Sequence, residues 1–161
     1  ASLQFENGAT GVFVTTTGDA PGTNRFEVTG TKGKLVCEND QLTFWKLGVD
    51  EREFCVTAKN GFEKPPCEKI QVETDGENPQ HVGVLNAFAG KILHGTPLVA
   101  DGKEGINGLT LSNAMHLSSW LGKPVEIPFD EVLFLSELNK RRATSKKKES
   151  QEITFSTEGT Y

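Results

Sequence analysis

Apolar residues follow two different periods along this 161-residue chain, and the change occurs between residues 73 and 78. Before it, apolar and polar residues alternate in short runs separated by Gly, Pro, Asn and Asp, which predicts antiparallel strands joined by tight turns. After it, apolar residues recur every three or four positions, which predicts helices. Strands followed by helices indicate an α+β fold, with a large, mostly antiparallel open sheet and helices packed on one face.

Turn and capping residues predict where the elements begin and end. Asn7-Gly8 and the pair Gly30 and Gly33 predict hairpin turns, with φ > 0 expected at both of the latter glycines. Asn113 falls on an apolar helix face, where we expect it to be buried and hydrogen-bonded. The strands predicted after the Asn7-Gly8 turn cover residues 10–17, 25–29, 34–38, 41–47, 53–58 and 69–73. The alternative of a last strand is retained for residues 151–157. The predicted helices cover residues 79–94, capped by Asn78, then 101–122 and 130–142.

Charge and cysteine content narrow the possible partners. Lys and Arg number 17 against 22 Asp and Glu, a net charge of −5, which disfavours nucleic acid as a partner. No run approaches the roughly 18–20 apolar residues of a membrane helix, so no membrane partner is expected. Cys37, Cys55 and Cys67 form an odd set without a Cys-x-x-Cys pair, which favours free thiols in the cytoplasm. One disulfide with a single free thiol, or a metal site built from distant residues, are the alternatives.

Motifs that would mark an active site are missing from the sequence. His81, His94 and His116 have no metal-ligand spacing, so no metal site is predicted. There is no Gly-x-Ser-x-Gly and no Gly-x-Gly-x-x-Gly, so neither a catalytic residue nor a dinucleotide site is predicted within these 161 residues. The lysine run at 146–148 reads as a solvated tail.

Three stretches, taken in order, resemble one known family. The chain is similar, over about residues 3 to 128, to the C-terminal domain of the Gfo/Idh/MocA oxidoreductases, relatives of glucose–fructose oxidoreductase and inositol dehydrogenase. The matching stretches are Leu3-x-Phe5-x-Asn7-Gly8-Ala9-x-Gly11, then Asn24-Arg25-Phe26-Glu27-Val28-Thr29-Gly30-Thr31-Lys32-Gly33-Lys34-Leu35, and finally Asp101-Gly102-Lys103-Glu104-Gly105 with Ser118-Ser119-Trp120-Leu121-Gly122-Lys123-Pro124-Val125.

The resemblance implies a function for the longer protein from which such a domain would come. In that family an N-terminal Rossmann domain binds NAD or NADP, and the substrates are sugars, polyols or related hydroxyl compounds. One face of the C-terminal sheet helps to close the substrate site, and the other packs against a second subunit. Residues 1–143 would then be a substrate-binding and oligomerisation domain, and residues 144–161 a basic tail. Because the chain opens within an alternating run, we expect a fragment that binds no cofactor and is inactive alone.

One tripeptide imitates the family's catalytic motif in the wrong place. Glu63-Lys64-Pro65 spells the Glu-Lys-Pro that follows the Rossmann strands in the family, and the family's Asp-x-x-x-His helix has no counterpart here. The tripeptide lies in a predicted loop after the hairpins, so we expect an exposed Lys64 without a catalytic role.

Substrate contacts and a dimer surface are the two roles left for this domain. Thr15, Thr17, Asn24 and Arg25 flank a Gly/Pro loop at a sheet edge and offer groups that suit polyols or carboxylates. They could equally be ordinary exposed strand ends. A symmetric dimer through the outward sheet face is expected, with Phe13, Phe26, Val28, Phe44 and Phe54 as candidates for its apolar row. A non-enzymatic binding or assembly domain and a stand-alone carbohydrate-binding domain remain the alternative functions.

Overall fold

The structure is a computed structural model that describes residues 1–146. The last strand proposed at 151–157 lies outside these residues. Helices and antiparallel strands together confirm the α+β class. In chain order the elements are β1 (Ser2–Gln4), β2 (Thr10–Val12), β3 (Arg25–Gly30), β4 (Gly33–Glu38), β5 (Gln41–Leu47), α1 (Glu51–Thr57), β6 (Cys67–Val72), α2 (Gln80–His94), α3 (Gly105–Leu121) and α4 (Glu131–Thr144).

The chain divides into two compact units, and the first covers Ser2–Thr96. It holds a two-stranded sheet, β1-β2, and an open four-stranded sheet in the order β3-β4-β5-β6. All neighbouring strands are antiparallel and follow one another along the chain. The four-stranded sheet is therefore a meander, in which each strand pairs with the next one in sequence.

Two tight turns set the register of the four-stranded sheet. Asn39 and Asp40 connect β4 to β5 with φ of 52° and 57°, which are the values of a type I′ hairpin turn. Gly33 closes the β3–β4 turn with φ of 143°, and a Cβ there would lie 2.2 Å from the carbonyl oxygen of Trp45. Gly30, the other glycine of this turn, has no positive φ, so the prediction was right for Gly33 alone.

Residues 53–58 form most of a helix, and the strand predicted there is wrong. The alternation of Phe54 and Val56 with polar residues imitates a strand, but α1 covers Glu51–Thr57. Asp50 caps this helix through its side chain, which accepts a hydrogen bond from the Arg52 amide at 3.0 Å. An Asp followed three residues later by Glu53 is a helix-start signal that the alternation obscured.

Helix α2 ends as its sequence predicts, but it begins differently. Gly95 is left-handed with φ of 71°, and its amide donates to the carbonyl oxygens of Gly90 and Lys91. At the start, Pro79 takes the cap position without a side-chain hydrogen bond, so Asn78 is not the cap that was predicted. No residue of α2 is buried.

The second unit begins at Pro97 and contains α3 and α4. Asp101 caps a 3-10 turn, Gly102–Glu104, that leads into α3, and Asp130 caps α4 by accepting from two amides. Gly122 ends α3 in the left-handed region, as predicted. The two helices contact each other through Trp120, which stacks on Phe134 at a centroid distance of 5.6 Å.

Only part of the apolar face predicted for α3, which held Leu109, Asn113 and Leu117, is buried. Leu117 and Ala114 are the buried residues of α3, whereas Leu109 is 55% exposed. Asn113 is half-buried, so the prediction of a buried amide is wrong. Its position beside Ala114 at the border of the buried strip leaves the amide access to water, and a half-exposed amide needs no protein partner.

No helix among residues 1–146 is both long enough and apolar enough to cross a membrane.

Candidate functional site

The four-stranded sheet has one polar face and one apolar face, because strand residues alternate between the two sides. We define the polar face by six long side chains: Arg25, Glu27, Lys34, Glu38, Trp45 and Lys69. We define the apolar face by eight residues from all four strands: Phe26, Val28, Leu35, Cys37, Leu42, Phe44, Ile70 and Val72. The register places residues of each set directly opposite one another, as in Phe26 with Cys37 and Phe44 with Ile70.

An ion-pair network covers one half of the polar face. The Arg25 guanidinium contacts the carboxylate of Glu27 on its own strand and that of Glu38 on β4, the latter at 2.8 Å. Lys34 approaches the other oxygen of Glu27 at 3.4 Å. The hydrogen bond from Arg25 lowers the pKa of Glu27, and the same bond raises the pKa of Arg25. These charges are about a third exposed, so they orient the side chains more than they stabilise the fold.

An aromatic ring flanked by two lysines covers the other half of the polar face. The ammonium groups of Lys34 and Lys69 lie 5.3 and 5.5 Å from the centre of the Trp45 ring. Val36 and Thr43 on the same face are buried, at 4% and 8% exposure. The long side chains around them thus exclude water from the middle of a face that is polar at its surface.

Within the part of the chain that the structure describes, the apolar face has no such cover. Phe26 is 70% exposed, Val28 50% and Leu35 41%, and the side chains on β5 and β6 are half-buried. At the usual spacing between strands the face extends about 14 Å from β3 to β6. Two of the five residues predicted for an outward apolar row lie elsewhere: Phe13 follows β2, and Phe54 belongs to α1. The other three, Phe26, Val28 and Phe44, lie on this face.

The four predicted substrate residues lie at the start of β3 and in the loop before it. Thr15 and Thr17 belong to the segment between β2 and β3, Asn24 is its last residue, and Arg25 opens β3. All four are exposed. Arg25 is already engaged by two carboxylates of the sheet, which holds its guanidinium at the edge of the polar face.

A cleft of about 490 Å³ lies at the other end of β3. Three segments form it: the β1–β2 loop with Asn7, the end of β3 and its turn into β4 with Thr29 and Thr31, and the start of α1 with Glu51 and Arg52. The cleft could not be predicted from the sequence, because these segments are distant along the chain and each is an ordinary turn or helix start. The one signal was the helix start at Asp50.

Other sequence candidates occupy ordinary surface positions. Lys64 of the Glu-Lys-Pro tripeptide is exposed, as predicted. Cys37, Cys55 and Cys67 are free and exposed thiols. A hydrogen bond from the Cys55 thiol to the Glu51 carboxylate, 3.0 Å long, raises the pKa of that thiol. Within residues 1–146 no cluster of three His, Cys, Asp or Glu side chains could hold a metal ion.

Neither the models of known protein families nor the curated proteins give a match to this chain.

Proposed function

We propose that this chain is the C-terminal domain of an NAD(P)-dependent oxidoreductase that acts on a sugar, a polyol or a related hydroxyl compound. The proposal starts from the three ordered stretches that resemble the Gfo/Idh/MocA family. The open antiparallel sheet supports it, because the resemblance implies such a sheet. NAD or NADP would be held by a separate Rossmann domain, and this domain would supply substrate contacts and a dimer surface.

The apolar face is the observation that carries the dimer surface in this proposal. An antiparallel sheet needs only one covered face, and here the polar face covers itself with its own long side chains. On the opposite face Phe26, Val28 and Leu35 are exposed and the apolar residues of β5 and β6 are half-buried, an arrangement that a monomer rarely tolerates over a contiguous apolar area. A second copy, related by a two-fold axis, would cover this face with its own equivalent. We expect such an interface to bury at least about 1,200 Å² in total.

The proposed substrate contacts lie at the N-terminal end of β3 and in the loop before it. Arg25 keeps N–H groups beyond the three that hydrogen-bond Glu27 and Glu38, and these can donate to a hydroxyl or carboxylate oxygen. The hydroxyls of Thr15 and Thr17 and the amide of Asn24 suit the same ligands. The carboxylates beside Arg25 would keep its guanidinium oriented before the substrate binds.

Two measurements test this function. The 161-residue chain mixed with NADH should show no saturable change in nicotinamide fluorescence, because no dinucleotide motif is present. The complete reading frame of the gene should encode a Gly-x-Gly-x-x-Gly upstream of Ala1, and its product should reduce NAD or NADP with a sugar or polyol. Saturable micromolar NADH binding by the chain, or a complete reading frame without that motif, would overturn the proposal.

A non-enzymatic assembly domain is the second candidate, and the apolar face favours it equally. Such a domain would self-associate through the apolar face, but Arg25 would have no ligand. In the complete gene product, Arg25→Gln should lower the catalytic efficiency with sugar or polyol if the oxidoreductase proposal holds. Arg142→Gln, on an exposed turn of α4, is the control. An Arg25→Gln protein with unchanged kinetics would remove Arg25 from the proposed substrate site.

A further inference from the structure

The cleft at the end of β3 is large enough for a small ligand and is lined by polar side chains. Its volume of about 490 Å³ lies within the range of roughly 300–1,000 Å³ that is usual for ligand pockets. It lies at the end of β3 away from Arg25, so it is separate from the substrate contacts proposed above. Its ligand does not depend on the oxidoreductase proposal.

Hydrogen bonds hold two of the three walls in place. Thr31 donates its hydroxyl hydrogen to the Asp50 carboxylate at 2.6 Å, and the Glu51 amide donates to the Thr31 carbonyl oxygen at 2.7 Å. These bonds join the β3–β4 turn to the start of α1. In the third wall, the Asn7 side-chain oxygen accepts a hydrogen bond from the Ala9 amide at 3.0 Å, which leaves the Asn7 side-chain amino group as a donor for a ligand. The two walls joined in this way need little reordering when a ligand binds between them.

Arg52 is the cationic group of the cleft, and it differs from the other arginines. Arg25 and Arg141 pair with carboxylates, and Arg142 donates to the side-chain oxygen of Asn139. Among residues 1–146, the Arg52 guanidinium has neither an ion-pair partner nor a hydrogen-bond partner. A guanidinium presents a planar pair of donors that matches a carboxylate in bidentate geometry.

Glu51 limits the charge of the ligand that can bind beside Arg52. Its carboxylate lines the same cleft and already accepts from the Cys55 thiol. A ligand with two negative charges, such as phosphate, would be repelled by Glu51, whereas a monoanion with hydroxyl groups could donate to it. The Thr29 hydroxyl and the Asn7 amide add further groups that bind hydroxyls.

We propose that this cleft binds a small hydroxylated carboxylic acid, with its carboxylate on Arg52 and its hydroxyls on Glu51, Thr29 and Asn7. The carboxylate of the ligand supplies the negatively charged partner that the Arg52 guanidinium lacks among residues 1–146. The hydroxyls supply the donors that make the neighbouring Glu51 compatible with an anionic ligand.

The test uses gluconate as the probe and the ¹⁵N-labelled 161-residue chain. Titration should shift the amide signals of residues 7–9, 29–31 and 51–52 in a saturable way. Sorbitol lacks the carboxylate, acetate lacks the hydroxyls, and inorganic phosphate carries more charge, so each should bind at least about tenfold more weakly. Equal shifts with phosphate or with glycine would overturn the proposal, because they would indicate a plain anion site or an amino-acid site.

Arg52→Gln should weaken gluconate binding at least about tenfold, since a charge-assisted hydrogen-bond pair is lost. Arg142→Gln removes an arginine of the second unit and should leave binding unchanged. The amide spectrum of Arg52→Gln shows whether its fold is intact. Arg52→Lys keeps the charge without the planar pair of donors, so its affinity for gluconate should lie between those of the wild type and Arg52→Gln. If gluconate causes no saturable shift in the wild-type cleft, or if Arg52→Gln binds it as well as wild type, the proposal is wrong.

Discussion

Val28 on β3 lies directly opposite Leu35 on β4, and both side chains are about half exposed on the apolar face. Directly opposite residues on antiparallel strands have closely spaced side chains and form one continuous surface. The surface that this pair forms is aliphatic, even though β3 is the edge strand of the sheet. The pair therefore forms the β3 side of the contact that we propose between two copies.

Val28→Glu should abolish self-association. In a two-fold contact the substitution buries two unpaired carboxylates, and burying an unpaired charge costs several kcal/mol. Size-exclusion chromatography with light scattering at micromolar concentration should give about twice 17.5 kDa for the wild type and 17.5 kDa for the variant. Thr29→Glu places the same charge one residue along the strand, on the polar face opposite Lys34, and should stay dimeric. A wild-type monomer at these concentrations would contradict the proposed dimer.

Gly33→Ala should destabilise the four-stranded sheet by about 2 kcal/mol or more, because its φ of 143° is strained for any other residue and its Cβ would meet backbone. The new methyl would lie 2.2 Å from the Trp45 carbonyl oxygen, which belongs to the paired strand and cannot move alone. Urea unfolding gives the free energy. Gly30→Ala, in the same turn with open space around it, should change the stability by less than about 1 kcal/mol. Equal losses in the two variants would show that the turn has another conformation.

Leu117→Ala should cost about 2–4 kcal/mol in the second unit, because Leu117 is 1% exposed and its truncation leaves a cavity. Leu109→Ala removes the same atoms two turns earlier, where the side chain is 55% exposed, and should cost less than about 1 kcal/mol. Thermal unfolding followed by the fluorescence of Trp120, with Trp45→Phe as background, reports on this unit. Equal losses in the two variants would mean that both leucines of the predicted apolar face are buried.

Thr31→Val should raise the pKa of Asp50 toward its ordinary value of about 3.9. The hydrogen bond from the Thr31 hydroxyl is the main cause of the lowered pKa. Carboxyl ¹³C chemical shifts followed against pH measure it directly. Thr29→Val removes a hydroxyl that makes no bond to Asp50 and should leave the pKa unchanged. An unshifted Asp50 in Thr31→Val would mean that the bond does not persist in solution.

The lowered pKa of Asp50 also makes part of the stability dependent on pH. Because the folded-state value lies below the unfolded one, this contribution is present above about pH 4 and is lost as the pH falls through the folded value. Asp50→Asn should therefore be less stable than the wild type at neutral pH. The difference between the two should shrink on acidification below about pH 4, in urea unfolding at a series of pH values.

The apolar face could be predicted from the sequence, but the cleft and the position of Phe54 could not. The sequence analysis placed Phe26, Val28 and Phe44 on an outward apolar row, because alternation within a strand is a local property. It failed for Phe54, since five alternating residues fit one face of a short helix as well as a strand. It also missed the cleft, whose walls come from three turns that are far apart along the chain.

The sequence by itself determined the class of fold, most strand and helix bounds, and the division of β3 to β6 into a polar and an apolar side. Those features depend on residues within a few positions of one another: the period of alternation, the turn pair Asn39-Asp40, and caps such as Asp130 and Gly122. Only the tertiary structure decided that Thr31 would hold Asp50 and start α1, and that no group among residues 1–146 would pair with Arg52. It also decided that, of Leu109 and Leu117 on one face of α3, only Leu117 would be buried. The physical reason is that each of these depends on which distant segment arrives beside the residue, and no local period contains that information.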